Sequence, residues 1–273
     1  MKMSEIDTVF QKLKESRKYK YLCDDTLYRI SGWALQRFEG KQVVKAAKKK
    51  LHQVYGAYFE VFQPGKIQKK LNRISSEPDT GSLKTIALEI MESHTSTSER
   101  VLFMEQFYPD LFKRIGKPKK ILDLACGLNP FAVLWMDLEQ DVEYYAYDID
   151  TRFIALINTF FGYLNRNYKA QCSDILVSIP EKEADVVFLL KTLTCFEQQE
   201  KGISEKIITS LKAKHIVISF PSRSLTGKAK GMENYYHSFA VELINHLNLD
   251  YFKLDYPNEV FYVLNKKLLR DKF

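Results

Sequence analysis

Ile121-Leu-Asp-Leu-Ala-Cys-Gly-Leu-Asn-Pro-Phe131 decides the fold of this chain. Its opening residues are mostly apolar, a Gly-containing bend follows, and then a Pro suited to the first turn of a helix. The pattern is that of a buried strand feeding a nucleotide-binding turn. A second apolar run, Tyr144-Tyr-Ala-Tyr147, leads into Asp148-Ile-Asp150, about twenty residues beyond the Gly. In a βαβ unit that spacing sets an acid at the tip of the second strand, within reach of a ribose diol. Leu128-Asn129-Pro130 replaces the later glycines of G-x-G-x-x-G, and Pro130 has no N–H to offer a pyrophosphate. A nucleoside without phosphates suits such a turn better, and S-adenosylmethionine (SAM) is the commonest cofactor of that kind. A purely structural Gly turn in an α/β domain of another type is the alternative reading of this segment.

Composition bounds the rest. A chain of 273 residues makes one large domain or two modest ones, and a hydrophobic content of 45% argues for a folded core. The net charge of +7 points to a polyanionic partner. Cys23, Cys126, Cys172 and Cys195 are scattered without C-x-x-C, and the 5 histidines lack metal-ligand spacing. Free thiols and no metal are expected. The N-terminus, Met1-Lys-Met-Ser4, opens a charged amphipathic segment rather than a signal peptide, and no apolar run approaches the roughly 20 residues that span a bilayer. These features predict a soluble cytoplasmic protein without membrane association.

Residues 1–115 carry helical periodicity. Helices are expected from Ser4 to about Ser16, from Asp24 or Asp25 to about Gly40, and from about Lys41 to Tyr55. Pro64-Gly65 reads as a turn, residues 75–82 as a loop, and further helices are expected over 83–92 and about 97–114. Lys41, Lys45, Lys48 and Lys49 fall near one another at helical spacing, with no acid between positions 41 and 50 to pair with them. A solvated surface explains most charge runs, but an unmixed one suits contact with RNA phosphates. Arg100 lies in the first turn of the expected 97–114 helix, where a cation opposes the macrodipole. An anionic partner is therefore expected; a methionine carboxylate is one candidate, and a nearby surface Asp is the plain alternative.

Beyond Lys117-Pro-Lys-Lys120, strand and helix alternate. Strands are expected near 121–125, 143–148, 168–172, 184–190, 215–220, 250–256 and 259–264, and helices near 130–138, 151–165, 196–212 and 231–247. This predicts an α/β, Rossmann-like SAM-dependent methyltransferase fold with a mostly parallel seven-stranded sheet and a final antiparallel pair, preceded by an all-helical N-terminal domain. The site belongs at the carboxyl ends of the strands. Gly127 marks the first turn, Asp148 can accept from ribose hydroxyls, Asp174 from an adenine amino group, and Ile175 can flank the ring. An Asp at either place also serves as an ordinary helix cap. Downstream, Ser222-Arg-Ser-Leu-Thr-Gly-Lys-Ala-Lys-Gly-Met-Glu233 is rich in Gly and cations. Its Arg223, Lys228 and Lys230 can meet phosphates, and Met232 can stack on an extruded base. Cys195 lacks the acidic and prolyl context of a covalent cytosine methylase, and no Asn/Asp-Pro-Pro-aromatic tetrapeptide marks methylation of an exocyclic amine. Nothing in the sequence demands a general base.

Longer segments carry a resemblance. Lys49-Lys-Leu-His-Gln-Val-Tyr-Gly-Ala-Tyr58, His94-Thr-Ser-Thr-Ser-Glu-Arg100, Leu124-Ala-Cys-Gly-Leu-Asn-Pro130, Val187-Phe-Leu-Leu-Lys191 and the stretch from Ile218 to Glu233 closely resemble the aminoglycoside-resistance 16S rRNA methyltransferases. The branch they look most like methylates N7 of guanine 1405. The resemblance implies a helical domain over 1–115 that docks on the assembled 30S subunit, a SAM-binding domain over 116–273, and a monomer. It implies cofactor contacts at Tyr58, His94, Thr95, Ser96, Arg100, Ala125, Asp148, Asp174, Ile175, Leu190 and Gln199. It places rRNA on the lysines of 41–50 and on the Arg223–Met232 loop, and leaves Met232 and Glu233 as positioning candidates rather than catalysts. The first forty residues and those beyond Tyr236 match less sharply. Methylation of another rRNA base or a small molecule, a SAM-binding ribosome assembly factor without catalysis, and a non-enzymatic RNA-binding protein are the competing readings.

Overall fold

The computed structural model describes residues 4–61, 63–222 and 230–266, with the side chains of 57–61 and 230–233 outside that description. Strand alternation organises the core. In β1 (Lys120–Leu124), Ile121 packs into one apolar cluster while Leu122 and Leu124 pack into another, on the opposite face of the sheet. The same division runs through β2 (Glu143–Asp148), β4 (Ala184–Leu190), β5 (Ala213–Pro221) and β7 (Glu259–Asn265), with β3 (Tyr168–Cys172) and β6 (Asp250–Tyr256) at the edges. The order is β3-β2-β1-β4-β5-β7-β6. β1 to β5 pair in parallel, while β7 runs antiparallel to both β5 and β6, so the sheet is mixed. The order reverses between β1 and β4, and that topological switch opens a crevice at their carboxyl ends.

Every expected strand is present, four of them with the expected bounds and the rest displaced by no more than two residues at an end. The helices depart further. The expected 196–212 helix is two, α9 (Leu193–Glu197) and α10 (Ile203–Ser210), parted at Gly202, which adopts φ +81°. The Glu197 carboxylate caps the second by accepting from the N–H groups of Gly202 and Ser204 at 2.7 and 2.8 Å. Residues 129–135 form a 3-10 helix, not an α-helix to 138. The other two match closely: α8 covers Thr151–Gly162, and α11 covers Lys230–His246.

Before the sheet stand α1 (Glu5–Lys14), α2 (Asp24–Leu35), α3 (Lys41–Val61), α4 (Pro64–Leu71), α5 (Thr80–Glu92), α6 (Thr95–Val101) and α7 (Met104–Ile115). Pro64-Gly65 is no turn but the start of α4, because a Pro at the first helical position gives up an N–H that would have no partner anyway. The expected 97–114 helix breaks after α6: Leu102 is 71% exposed, and Phe103 turns inward to stack on Tyr256 at 4.8 Å between ring centroids. The apolar cores divide these helices in a way the boundary near 115 does not capture. Side chains of α4 to α7 share one cluster with the sheet, whereas α1, α2 and α3 form a cluster of their own around Leu13, Leu27, Ile30 and Leu51. The segment between α1 and α2 ties that cluster to the sheet. Leu22 bridges antiparallel to Asp150, Cys23 donates its N–H to the Ile149 carbonyl at 2.7 Å, and the Tyr21 carbonyl accepts from Thr151 N–H at 2.9 Å.

Candidate cofactor site and basic face

The crevice is an open cleft with about 1090 Å³ of free space, solvent at its mouth included. Its floor is set by two backbone turns. Ala125, next after β1, has φ +51° and Lys191, next after β4, has φ +55°, left-handed conformations that cost a side-chain-bearing residue roughly 1–2 kcal/mol. Such strain persists where the surroundings impose it. Here Cys126 N–H is held by the Tyr147 carbonyl at 3.0 Å, and Lys191 N–H by the carbonyl and hydroxyl of Ser219 at 3.1 and 3.0 Å. Gly127 follows at φ +52°, and a Cβ there would meet no atom within 4 Å. The turn therefore leaves a space that a ligand can fill.

Asp148 stands at the tip of β2, where the spacing from Gly127 predicts an acid. Its Oδ2 accepts from Gly127 N–H at 2.9 Å and its Oδ1 from Asp150 N–H at 3.0 Å. These bonds aim the carboxylate and leave a lone pair on each oxygen. Burial pushes its pKa up to about 6, and the backbone donors only partly oppose that. Asp174 also lines the crevice, at 2% exposure, and its side chain is already engaged. Its Oδ1 accepts from Leu176 N–H at 2.9 Å, the helix-cap geometry of an Asx turn. Its Oδ2 accepts from the Thr26 hydroxyl and from Arg29 Nε, both at 2.9 Å. Arg29 continues through Nη2 to the Gln199 side-chain oxygen at 2.9 Å, and Tyr55 Oη meets that oxygen at 3.2 Å. Leu22, Val54 and Tyr55 also line the crevice, so α3 and the segment between α1 and α2 build one wall of it, with Arg29 of α2 behind it on Asp174 and Gln199.

Arg100 has the anionic partner that an unfavourably placed cation requires, but neither expected circumstance holds. It lies in the last turn of α6, where the helix dipole favours a cation, and it is 1% exposed. Its Nη2 donates to Glu259 Oε1 at 2.6 Å, Glu259 being wholly buried at the start of β7. Nη1 donates to the side-chain oxygen of Asn129 at 2.7 Å, which also accepts from Tyr108 Oη at 3.0 Å. Asn129 in turn donates to Asp123 Oδ2 at 2.9 Å, and Tyr144 Oη donates to the same oxygen at 2.7 Å. Burial raises the Asp123 carboxyl to about 7 in spite of those two donors. Burial also works against the Arg100 charge, and Glu259, Tyr108 and Asp123 together more than offset it. Arg100 Nε is buried without a partner, as is His94 Nδ1, and both residues line the crevice. Two orphaned polar groups on the wall of a cleft fit a polar ligand that would satisfy them. Burial and the nearby Lys191 lower the His94 pKa, so its ring is neutral at pH 7.

Of the residues expected at the cofactor, His94, Ser96, Arg100, Ala125, Gly127, Asp148, Asp174, Ile175, Leu190 and Gln199 all border this one crevice. Thr95 sits exposed in the first turn of α6 and is not among the lining residues, whereas its neighbours His94, Ser96 and Thr97 are. The Tyr58 side chain lies outside the described residues. Asp123, Asn129 and Glu259 were assigned no role from the sequence. An acid inside the otherwise apolar Ile121–Leu124 run and another heading the apolar run Val260–Leu264 were the available signals, since buried charges require partners.

The lysine face is as expected for α3. Lys41, Lys45 and Lys49 are exposed, Lys48 is half-buried, and among the described residues none of the four forms an ion pair. Of the second basic segment, Arg223 and Lys228 lie outside the described residues, while Lys230, Met232 and Glu233 fall in the first turn of α11, their side chains likewise outside the description. Among the described residues, no helix is long and apolar enough to cross a membrane, and no group of three or more His, Cys, Asp or Glu can hold a metal ion.

The model of the ribosomal RNA methyltransferase (FmrO) family matches residues 15–246. The chain belongs to that family. Curated relatives of this FmrO-family chain include the 16S rRNA (guanine(1405)-N(7))-methyltransferase of Micromonospora rosea, 33% identical over 96% of this chain and 97% of its own length. The enzyme of the same name from Proteus mirabilis is 32% identical over the same shares. Among solved structures, the 16S rRNA methyltransferase RmtF in complex with S-adenosyl-L-homocysteine superposes with a TM-score of 0.82 at 25% identity, covering 98% of this chain and all of that one. The 16S rRNA methylase RmtB does so with a TM-score of 0.79 at 26% identity over the same shares.

Proposed function

We propose that this chain is a SAM-dependent methyltransferase that modifies N7 of guanine 1405 in the 16S rRNA of the assembled 30S subunit. The observation that carries the reading is the convergence of Asp148, Asp174, Arg100 and the Ala125–Gly127 turn on one crevice, in a chain whose relatives bear that activity over 96% of its length. The residues present fit the cofactor. Asp148 has a free lone pair on each oxygen for the two ribose hydroxyls, and Asp174 retains one for the adenine amino group. Ile175 and Leu190 offer apolar surface to the ring, and Arg100 with His94 offers unpartnered polar groups to the methionine end.

Bound there, SAM supplies an electrophilic methyl group on a sulfonium. Guanine N7 has a free lone pair and no proton, so the protein need not supply a general base. Its task is positioning and exclusion of water. The lysines of α3 hold rRNA phosphates, and the Arg223–Met232 segment clamps the target strand, with Met232 set to stack on the base and Glu233 to balance charge developing on the purine. The helices of 1–115 dock on the 30S subunit, residues 116–273 bind SAM together with His94, Ser96 and Arg100 of the helical part, and the enzyme acts in the cytoplasm as a monomer. A methyl group and a new positive charge on N7 obstruct aminoglycosides at the decoding site, and cells making the enzyme resist them.

The reading is tested by methyl incorporation from labelled SAM into 30S subunits, naked 16S rRNA and free guanosine in parallel. Incorporation into 30S subunits alone or in strong preference is expected. Incorporation into small molecules would overturn the proposed substrate, and cofactor binding with no incorporation anywhere would turn the proposal toward an assembly factor.

A further inference from the structure

Behind the wall that α3 and the segment before α2 contribute to the crevice, α2 supplies a side chain that holds two of the lining residues. Arg29 reaches both Asp174 and Gln199: Nε lies 2.9 Å from Asp174 Oδ2, and Nη2 lies 2.9 Å from Gln199 Oε1. Each contact fixes a polarity. An ion-paired carboxylate is acceptor-only, and Asp174 already accepts from Leu176 N–H, Thr26 Oγ1 and Arg29. One lone pair, on Oδ1, remains, and it can take only a donor. An amide side chain can present either end, but Gln199 Oε1 is claimed by the donors Arg29 and Tyr55, while Nε2 donates to the Cys195 carbonyl at 3.3 Å. Gln199 is left with one N–H, which can meet only an acceptor. The two residues that border the base end of the crevice thus read as acceptor and donor. The Watson–Crick edge of adenine, an amino donor beside the N1 acceptor, has the complementary order. A 6-oxopurine has the reverse order, an O6 acceptor beside an N1 donor.

We infer that Arg29, from the helical half of the chain, is a positioning residue that sets the polarity of Asp174 and Gln199 and thereby selects adenine over a 6-oxopurine at the cofactor's base subsite. The inference rests on adenine meeting Asp174 and Gln199, as proposed above. It also makes the cofactor site incomplete without α2, so that the part of the chain bearing the basic helix helps to define which nucleoside binds.

The test is calorimetric titration of the full-length protein with S-adenosylhomocysteine and with its 6-oxo counterpart, S-inosylhomocysteine. The wild type is expected to favour the adenosyl compound by about 100-fold or more, since the wrong edge leaves buried polar groups unpaired. In Arg29→Met, Asp174 and Gln199 lose the donor they share, Gln199 becomes free to turn over, and the ratio is expected to fall below about tenfold. A purely structural role for Arg29 would weaken both ligands by the same factor, and an unchanged ratio in the variant overturns the inference. Asp174→Asn separates this failure from failure of the underlying reading. If the wild type discriminates and Asp174→Asn abolishes the discrimination while Arg29→Met keeps it, the adenine placement stands and the role of Arg29 falls. If the wild type does not discriminate at all, the placement itself is wrong and the inference goes with it. Should melting show that Arg29→Met does not fold, Arg29→Lys replaces it. A lysine restores charge beside Asp174 but cannot bridge to Gln199, so an intermediate ratio is expected and the wild-type ratio overturns the inference.

Discussion

Arg100 and Glu259 meet at 2.6 Å with side chains 1% and 0% exposed, joining α6 to the first residue of β7 beneath the floor of the cofactor crevice. The pair is one link of a buried chain that runs from Tyr144 through Asp123, Asn129 and Arg100 to Glu259 and the Ser219 hydroxyl, which donates to Glu259 Oε1 at 2.6 Å. It therefore ties the cleft's polar wall to the antiparallel end of the sheet. Removing one partner of a buried ion pair leaves the other charge uncompensated and costs about 3–5 kcal/mol. Glu259→Leu is expected to lower the melting temperature by roughly 10 °C, by the usual conversion for a chain of this size. A shift under about 2 °C, in a thermal melt without ligand, would show that the pair contributes little.

Gly127→Ala separates backbone strain from ligand binding. With φ +52° the substitution costs about 1–2 kcal/mol, and with no atom within 4 Å of the new Cβ there is no clash to add. The methyl group projects into the crevice instead. S-adenosylhomocysteine affinity is expected to fall at least tenfold while the protein stays folded. Unchanged affinity would place the ligand elsewhere.

Asp148 makes both stability and binding depend on pH. Its folded pKa of about 6, and that of about 7 for Asp123, lie above the ordinary carboxylate value of 3.8 because burial disfavours the charged form. The folded protein then binds more protons than the unfolded chain between pH 4 and 7, so these two groups lower stability as pH rises through that window. Ligand binding runs the other way. Ribose hydroxyls donate to the ionised form, and S-adenosylhomocysteine affinity is expected to weaken as pH drops below about 6. Titrations from pH 5 to 8 test this, with Asp148→Asn expected to bind weakly and without that dependence. A flat profile in the wild type would exclude the carboxylate from the ribose site.

The lysine face supplies a prediction that leaves the cofactor untouched. Changing Lys41, Lys45 and Lys49 together to Ala is expected to weaken 30S binding and to reduce the slope of log affinity against log salt by somewhat under one for each phosphate no longer neutralised. These residues are exposed, so the melting temperature and S-adenosylhomocysteine affinity should hold. Full retention of 30S affinity would move the docking surface off α3.

The sheet was legible in the sequence because its strands are short apolar runs bounded by turn residues, and the acid at Asp148 because strand length and crossover geometry dictate its spacing from Gly127. The helices were legible in their apolar stripes but not in their ends. Breaks at Phe103 and Gly202 arise from tertiary contacts, an inward-turned ring and a capping carboxylate, that leave little trace in a local pattern. Arg100 drew attention for a dipole conflict that the real helix does not have, yet the inference of an anionic partner survives in Glu259, 159 residues away. Such long-range pairs, like Arg29 with Asp174, are set by topology and cannot be read from spacing. The domain boundary near 115 followed the change from helices to alternation, whereas the cores part between α3 and α4 because α4 to α7 cover one face of the sheet.

The most direct test of the proposed activity maps the modified base. Purified protein is incubated with SAM and unmodified 30S subunits, and the extracted 16S rRNA is treated with borohydride and aniline, which cleave the chain at N7-methylguanine. Cleavage at guanine 1405, absent without SAM, is the result expected. Methyl incorporation without cleavage at that position would contradict the assignment of N7 of guanine 1405 as the target.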